Sequence, residues 1–189
     1  MGAASADTGP AGGKVVVHRA MSLDGFIAGP GHAMDWVFDY AGPDTSAEVM
    51  GATGAMLAGR NTYDVGRRDT GKPSGDAYGG AWSGPTFVLT HHPPGDDPAV
   101  TFLSGDIRAA VTTALAAANG KNLEVLGTSV AVQCFGHGLV DEVRVYILPV
   151  LLGGGTPLFA PPEPARVELE PVSTTRSGQV THLLFRVRK

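Results

Sequence analysis

AMLAGRNTYDVG, residues 55–66, decides how the rest of this chain is read. Ala55, Met56, Leu57 and Ala58 have the length and polarity of a short buried strand, and a helix is expected from about Thr62. A plain strand-to-helix turn needs a glycine and a capping residue. It does not need an arginine, yet Gly59, Arg60 and Thr62 follow the strand at once. A bound phosphate would use all three. Glycine lets a ligand approach the backbone, a helix N-terminus offers unpaired N–H groups and a positive dipole, and a guanidinium gives charge-assisted hydrogen bonds.

The same design recurs downstream, where the apolar run at 123–126 meets Gly127, Thr128, Ser129 and Val130. Each turn alone reads as an ordinary capped turn. As a pair facing one cleft, with Arg60 beside them, they read as a diphosphate site. No G-x-G-x-x-G follows the first strand, so this is not the Rossmann fingerprint. Thr90, His91 and His92 end another strand, expected at 86–90. They either contact a ribose 2′-phosphate or are exposed turn residues ahead of Pro93 and Pro94. A metal is not expected there, because a third ligand is missing and adjacent strand residues point to opposite faces.

Outward from these turns, residues 1–13 read as a disordered Gly/Ala/Pro tail and residues 14–189 as one domain. A strand at 14–20 leads into a long loop at 21–43, too rich in Phe26, Ile27, Met34 and Trp36 for disorder and long enough to be functional. Asp44 is the expected N-cap of a short helix, and 69–84 is a surface loop. A short strand at 99–103 precedes Asp106, which opens a helix whose stripe Ile107, Ala110, Val111, Ala114, Leu115 and Ala118 has helical spacing. Asn119 and Gly120 close it. From residue 142 to 150 the pattern alternates. Gly153, Gly154 and Gly155 then form either a flexible turn or a point of backbone approach to a ligand. Strands near 166–173 and 179–188, joined around residues 175–178, make a C-terminal antiparallel hairpin. Alternating strands and helices followed by a hairpin predict α/β layers around a mostly parallel mixed sheet.

Composition narrows the partners. The net charge is −4, and no Lys/Arg cluster exceeds the pair Arg67-Arg68, which argues against nucleic acid. No apolar run approaches the ~20 residues of a membrane span. The single Cys134 excludes an internal disulfide, fits a reducing cytoplasm and sits in the apolar AVQCF as an expected core residue.

The order SLDGFIAG, GRNTY, VLT, LGTS and LVDEVRVYILPVLLGGGTPLF resembles the dihydrofolate-reductase-like superfamily. It is most similar to the C-terminal reductase domain of the bifunctional riboflavin-biosynthesis deaminase/reductase and its stand-alone relatives. The resemblance implies a three-layer fold with helices on both faces of the sheet, a homodimer, and NADPH as hydride donor to a small heterocyclic substrate. It implies a cofactor groove at Ala20, Ile27, Gly59, Arg60, Thr62, Thr90, His91, Gly127, Thr128, Ser129 and Val130. Phe26, Asp35, Trp36 and Gly154 are the implied substrate contacts. Two departures bear on the substrate: Val125 stands where riboflavin-pathway reductases carry an acid, and Asp44 is either the pterin-binding acid or only a helix cap. A hydride acceptor also needs a proton, for which Asp24 and Asp44 are the catalytic candidates, although Asp24 could simply bond within its own turn. The reading opposed to a reductase is a catalytically silent nucleotide-binding or interaction protein on this fold. For assembly, the alternation of Arg144, Tyr146, Leu148 and Val150 opposite Val143, Val145 and Ile147 leaves a second apolar face, which a dimer interface would cover.

Overall fold

The structure is a computed structural model and describes residues 12–40, 46–163 and 165–189. Most of the expected N-terminal tail, and Asp44 with its expected cap, lie outside the described residues. In chain order the strands are β1 (Val15–Ser22), β2 (Phe26–Ala28), β3 (Thr53–Gly59), β4 (Thr86–Leu89), β5 (Thr101–Leu103), β6 (Asn122–Leu126), β7 (Glu142–Leu148), β8 (Thr156–Pro157), β9 (Leu169–Ser177) and β10 (Val180–Val187). The helices are α1 (Ala47–Ala52), α2 (Arg60–Arg68), α3 (Ile107–Ala117) and α4 (Thr128–Gly136).

Eight strands form one sheet in the order β5-β4-β3-β6-β1-β7-β10-β9. The pairings from β5 across to β7 are parallel, and β10 turns the edge antiparallel against both β7 and β9. This is the dihydrofolate-reductase-like α/β layering expected from the sequence. Strands buried on both faces need apolar side chains in both phases of the pleat, which VVV in β1 and AMLA in β3 provide.

One face carries the main core. Val15, Val17, Ala55, Leu57, Leu123, Val125, Val143 and Val145 pack under Ile107, Ala110, Val111 and Ala114 of α3 and Val130, Ala131 and Cys134 of α4. The predicted stripe of α3 is therefore the core stripe, and Asp106 caps the helix by accepting from Arg108 N at 2.6 Å. Burial pushes the Cys134 thiol up to about 12, as expected of an inert core thiol.

The other face has a smaller apolar cluster in which Tyr146, Leu148 and Val180 lie under Val37 and Val49. Val37 belongs to a 3-10 turn (Asp35–Asp39) and Val49 to α1. That cluster corrects the expectation for β7. The second face of β7 is covered by the chain's own α1 and 3-10 turn, so its alternation needs no partner molecule.

Other boundaries move for local reasons. β1 runs on to Ser22 because β7 pairs with it through Leu148. The helix after β3 starts at Arg60 itself, two residues earlier than expected. The C-terminal hairpin turns at Gly178 and Gln179, with Ser177 paired to Val180 and Gly178 at φ +56°, the left-handed value that short hairpin loops require. The long loop holds β2, which pairs with β8. Gly155 is obligatory beside that pair, since its φ is +136° and a Cβ would run into the Ala28 carbonyl.

Leu148→Ala removes a fully buried side chain and is expected to cost about 2–5 kcal/mol in urea unfolding. The loss should be the same at low and high protein concentration. A concentration-dependent loss would put Leu148 in an interface after all.

Candidate functional site

β3 and β6 are parallel neighbours with Ala58 opposite Leu126, so the two glycine turns leave the sheet side by side. A Cβ on Gly59 would stand 3.1 Å from both Ser129 Oγ and Val130 Cγ2. A Cβ on Gly127, whose φ is +85°, would collide with Thr62 Oγ1. Each glycine thus makes room for the first helical turn of the other unit. Neither α2 nor α4 has a side-chain cap at its N-terminus. Two helix starts with unpaired N–H groups therefore open at one place, which is the donor set an anionic diphosphate needs. Gly59, Thr62, Gly127, Ser129 and Val130 are brought together as expected from the sequence.

Arg60 joins this site to the turn after β4. Its Nε faces Asp64 Oδ1 and Oδ2 at 2.8 and 2.9 Å, and its Nη1 donates to the His92 carbonyl at 2.6 Å. The turn itself is held by His92 N donating to Thr90 Oγ1 at 3.2 Å and by Thr90 N donating to Leu103 O at 2.9 Å. Arg60 and the Thr90–His91 turn therefore share one surface, on which His91 is exposed. Thr128 is turned elsewhere: its Oγ1 donates to the Pro157 carbonyl at 2.5 Å and anchors β8 to the start of α4.

The loop after β1 is clamped at its first turn. Asp24 accepts from Ser22 Oγ at 2.6 Å, Gly153 N at 2.7 Å and Leu152 N at 3.1 Å. Ser22 Oγ in turn accepts from Phe26 N at 3.0 Å. Hydrogen bonding from Ser22, and then from Gly153, holds the Asp24 carboxyl below its ordinary range. A carboxylate fixed this way ties the loop to the glycine turn at 153–155 and is a poor proton source. Ile27 is buried, whereas Ala20, Phe26, Trp36 and Gly154 are half-buried. Trp36 Nε1 donates to Ala33 O at 3.2 Å, and Asp35 is exposed.

One group was not expected from the sequence. Glu124 lies inside the apolar run NLEVL, with a side chain only 4% exposed, and it faces His18 and Arg19 of β1. Tyr78 Oη donates to Glu124 Oε2 at 2.5 Å, and Arg19 Nη1 to Oε1 at 3.2 Å. Arg19 also donates to the carbonyls of His18 and of Val125. Burial by itself would raise the Glu124 carboxyl. The surrounding His18, Arg19 and Tyr78 outweigh it and keep the group below the usual carboxylate range. His18 Nδ1 stands 3.6 Å from Oε1 and 3.1 Å from Tyr78 Oη, the second a hydrogen-bonding distance. The only sign in the sequence was charge inside two apolar strands, NLEVL and KVVVHRA. The departure at Val125 stands, since Val125 faces the main core and Glu124 beside it points to the opposite face of β6.

Comparison with known proteins gives the family and the fold. The family described as the RibD C-terminal domain matches residues 13–183. The Bacillus subtilis protein YwjB is 30% identical over 151 residues, spanning 77% of this chain and 82% of its own. A protein assigned to riboflavin biosynthesis from Shewanella sp. PV-4 superposes with a TM-score of 0.74 at 26% identity, covering 93% of this chain and 99% of its own. Dihydrofolate reductase from Enterococcus faecalis, solved with NADP(H), has the same fold at a TM-score of 0.60 and 16% identity, covering 93% and 97%.

Asp24→Asn should loosen the loop clamp and lower the melting temperature at neutral pH. Because the folded carboxyl titrates below an unfolded value of about 3.9, its contribution is complete above that value and disappears as pH falls through the folded one. Melting curves of the two proteins should therefore converge at strongly acidic pH. A constant gap would show that charge plays no part. Glu124→Ala leaves Arg19 buried without its carboxylate and is expected to cost about 3–5 kcal/mol in denaturant unfolding.

Proposed function

Because the chain belongs to the RibD C-terminal domain family, we propose that it is an NADPH-dependent reductase of a small heterocycle. The first candidate substrate is 5-amino-6-(5-phosphoribosylamino)uracil, the compound reduced in riboflavin biosynthesis by the enzymes that the chain resembles. The observation that carries this reading is the pair of uncapped helix N-termini, brought together by Gly59 and Gly127 at the ends of adjacent strands. Backbone N–H groups at the starts of α2 and α4 would hold the diphosphate, and Arg60 with Thr90 and His91 would hold the ribose 2′-phosphate. When bound, NADPH supplies a hydride. The chain's part is to fix the acceptor beside Ala20, with the described part of the loop, residues 21–40, over it.

Within this reading Asp24 acts through position, keeping that loop against the 153–155 turn. The net charge of −4 gives no general attraction for a phosphorylated ligand, so Arg60 is the local device that selects it. The homodimer implied by the resemblance would have to form through other surfaces than β7. β9 is exposed along its whole length, including Leu169 and Val172, and Leu151 is 69% exposed. Light scattering at micromolar concentration tests it, and a monomer mass rejects it.

Arg60→Ala is expected to weaken NADPH binding tenfold or more while leaving NADH binding little changed. A charge-assisted hydrogen bond is worth about 1.5–3 kcal/mol. Calorimetry with both cofactors reads this directly. Equal loss for both would mean that Arg60 only shapes the turn through Asp64 and His92.

A further inference from the structure

His18 is the one side chain of the buried network with an unused polar atom. It is 5% exposed, and its Nε2 has no hydrogen-bond partner among the described residues. Its other nitrogen is fully specified. The Tyr78 hydroxyl hydrogen is committed to Glu124 Oε2 at 2.5 Å, so the same oxygen can only accept from His18, 3.1 Å away. Nδ1 therefore carries the hydrogen, which leaves Nε2 as the one ring nitrogen that can accept.

Its place in the fold gives that acceptor a use. His18 and Ala20 project from the same face of β1, since side chains two apart on a strand share a face. That is the face on which Ala20, Trp36 and Tyr40 pack beside Tyr146, Leu148, Val37 and Val49. The His18 ring meets Tyr146 edge-on at 4.6 Å, and Tyr146 stacks on His182 at 4.1 Å. His182 Nε2 is likewise buried with no partner among the described residues. An aromatic floor thus crosses β1, β7 and β10 and ends at an imidazole whose free acceptor is preset by Glu124 through Tyr78. Among the described residues the cover over this floor is the 3-10 turn at Asp35–Asp39, the six-residue α1 and Tyr78, whose ring stacks over His18 at 6.0 Å.

We propose that His18 Nε2 is a specificity-determining acceptor that pairs with a ring N–H of a flat cyclic lactam held against the Tyr146 floor, with Glu124 and Tyr78 acting as positioning residues that fix its tautomer. The proposal rests on the reductase reading, because it places the lactam next to the hydride acceptor site at Ala20. A buried acceptor left unpaired is unfavourable, so a ligand that brings an N–H under the cover relieves a cost already present in the free protein. A ring of the same shape whose nitrogens are methylated gains nothing from His18 and meets it with a clash.

The probes are lumazine, which carries lactam N–H groups, and 1,3-dimethyllumazine, which does not. Imidazole nitrogen resonances of the ¹⁵N-labelled full chain, with NADP present, are followed during titration with each compound. The free protein should show His18 as the Nδ1–H tautomer, and lumazine should shift its Nε2 resonance. The dimethyl compound should bind at least tenfold more weakly and leave that resonance in place. His18→Phe should bring the two compounds to equal affinity while NADP affinity stays unchanged. Tyr78→Phe, which keeps the imidazole in place, should give mixed tautomers and weaker lumazine binding. Equal binding of the two compounds to the wild-type protein, or an unmoved Nε2 resonance with lumazine bound, overturns the proposal and leaves the reductase reading intact. Failure of the wild-type protein to bind NADP would instead remove the reductase reading itself.

Discussion

The contact between the two glycine turns is the constraint on which the site depends. β3 and β6 pair in parallel with Ala58 opposite Leu126, which puts Gly59 and Gly127 within one side chain of the opposing helix start. Any Cβ at Gly127 meets Thr62 at a backbone angle that L-residues rarely adopt, so that position requires glycine, and a Cβ at Gly59 would crowd Ser129 and Val130 at 3.1 Å. The requirement comes from within the protein, before any ligand is considered. Two helices started this close together, with no side-chain caps, also concentrate unpaired donors and positive dipole ends in one place, which is what the proposed phosphate site uses.

The opposite wall of the site is held by hydrogen bonds to an exposed carboxylate and by a hydroxyl tether. Asp24 binds the loop after β1 to the turn after β7, and Thr128 binds the start of α4 to β8. β8 pairs in turn with β2 inside that same loop. The start of α4 and the loop after β1 are therefore linked by a short chain of contacts, through Thr128, Pro157 and Phe26.

Much of this was legible in the sequence where local rules are strict. The glycine, the helix start and the hydroxyl are all adjacent in the chain, so GRNT and GTSV announced themselves. The α3 stripe and its Asp106 cap were equally plain. Legibility failed where a residue's meaning depends on another strand. The apolar second face of β7 suggested a partner molecule, because nothing in residues 142–150 reveals that Val37 and Val49 return to cover it. Nothing in GTSV reveals that the Thr128 hydroxyl hydrogen is committed to Pro157, 29 residues away. Glu124 was passed over because its partners Arg19 and Tyr78 are 105 and 46 residues distant.

That buried carboxylate also explains an asymmetry between the two sides of the sheet. On the α3–α4 side every central strand contributes aliphatic side chains, and two helices cover them. On the other side Glu124, His18 and Thr53 are buried in the middle of the sheet, where an apolar lining would have been the simpler solution. Replacing buried ionic groups with apolar ones often leaves stability unchanged or improves it, so packing alone gives no reason for a charge there. Orientation gives one. Glu124 fixes the direction of the Tyr78 hydroxyl, and the hydroxyl fixes which nitrogen of His18 carries the hydrogen. An apolar lining would leave that imidazole free to turn, and a site that must distinguish a ring N–H from a methyl group needs an acceptor whose direction is settled before the ligand arrives.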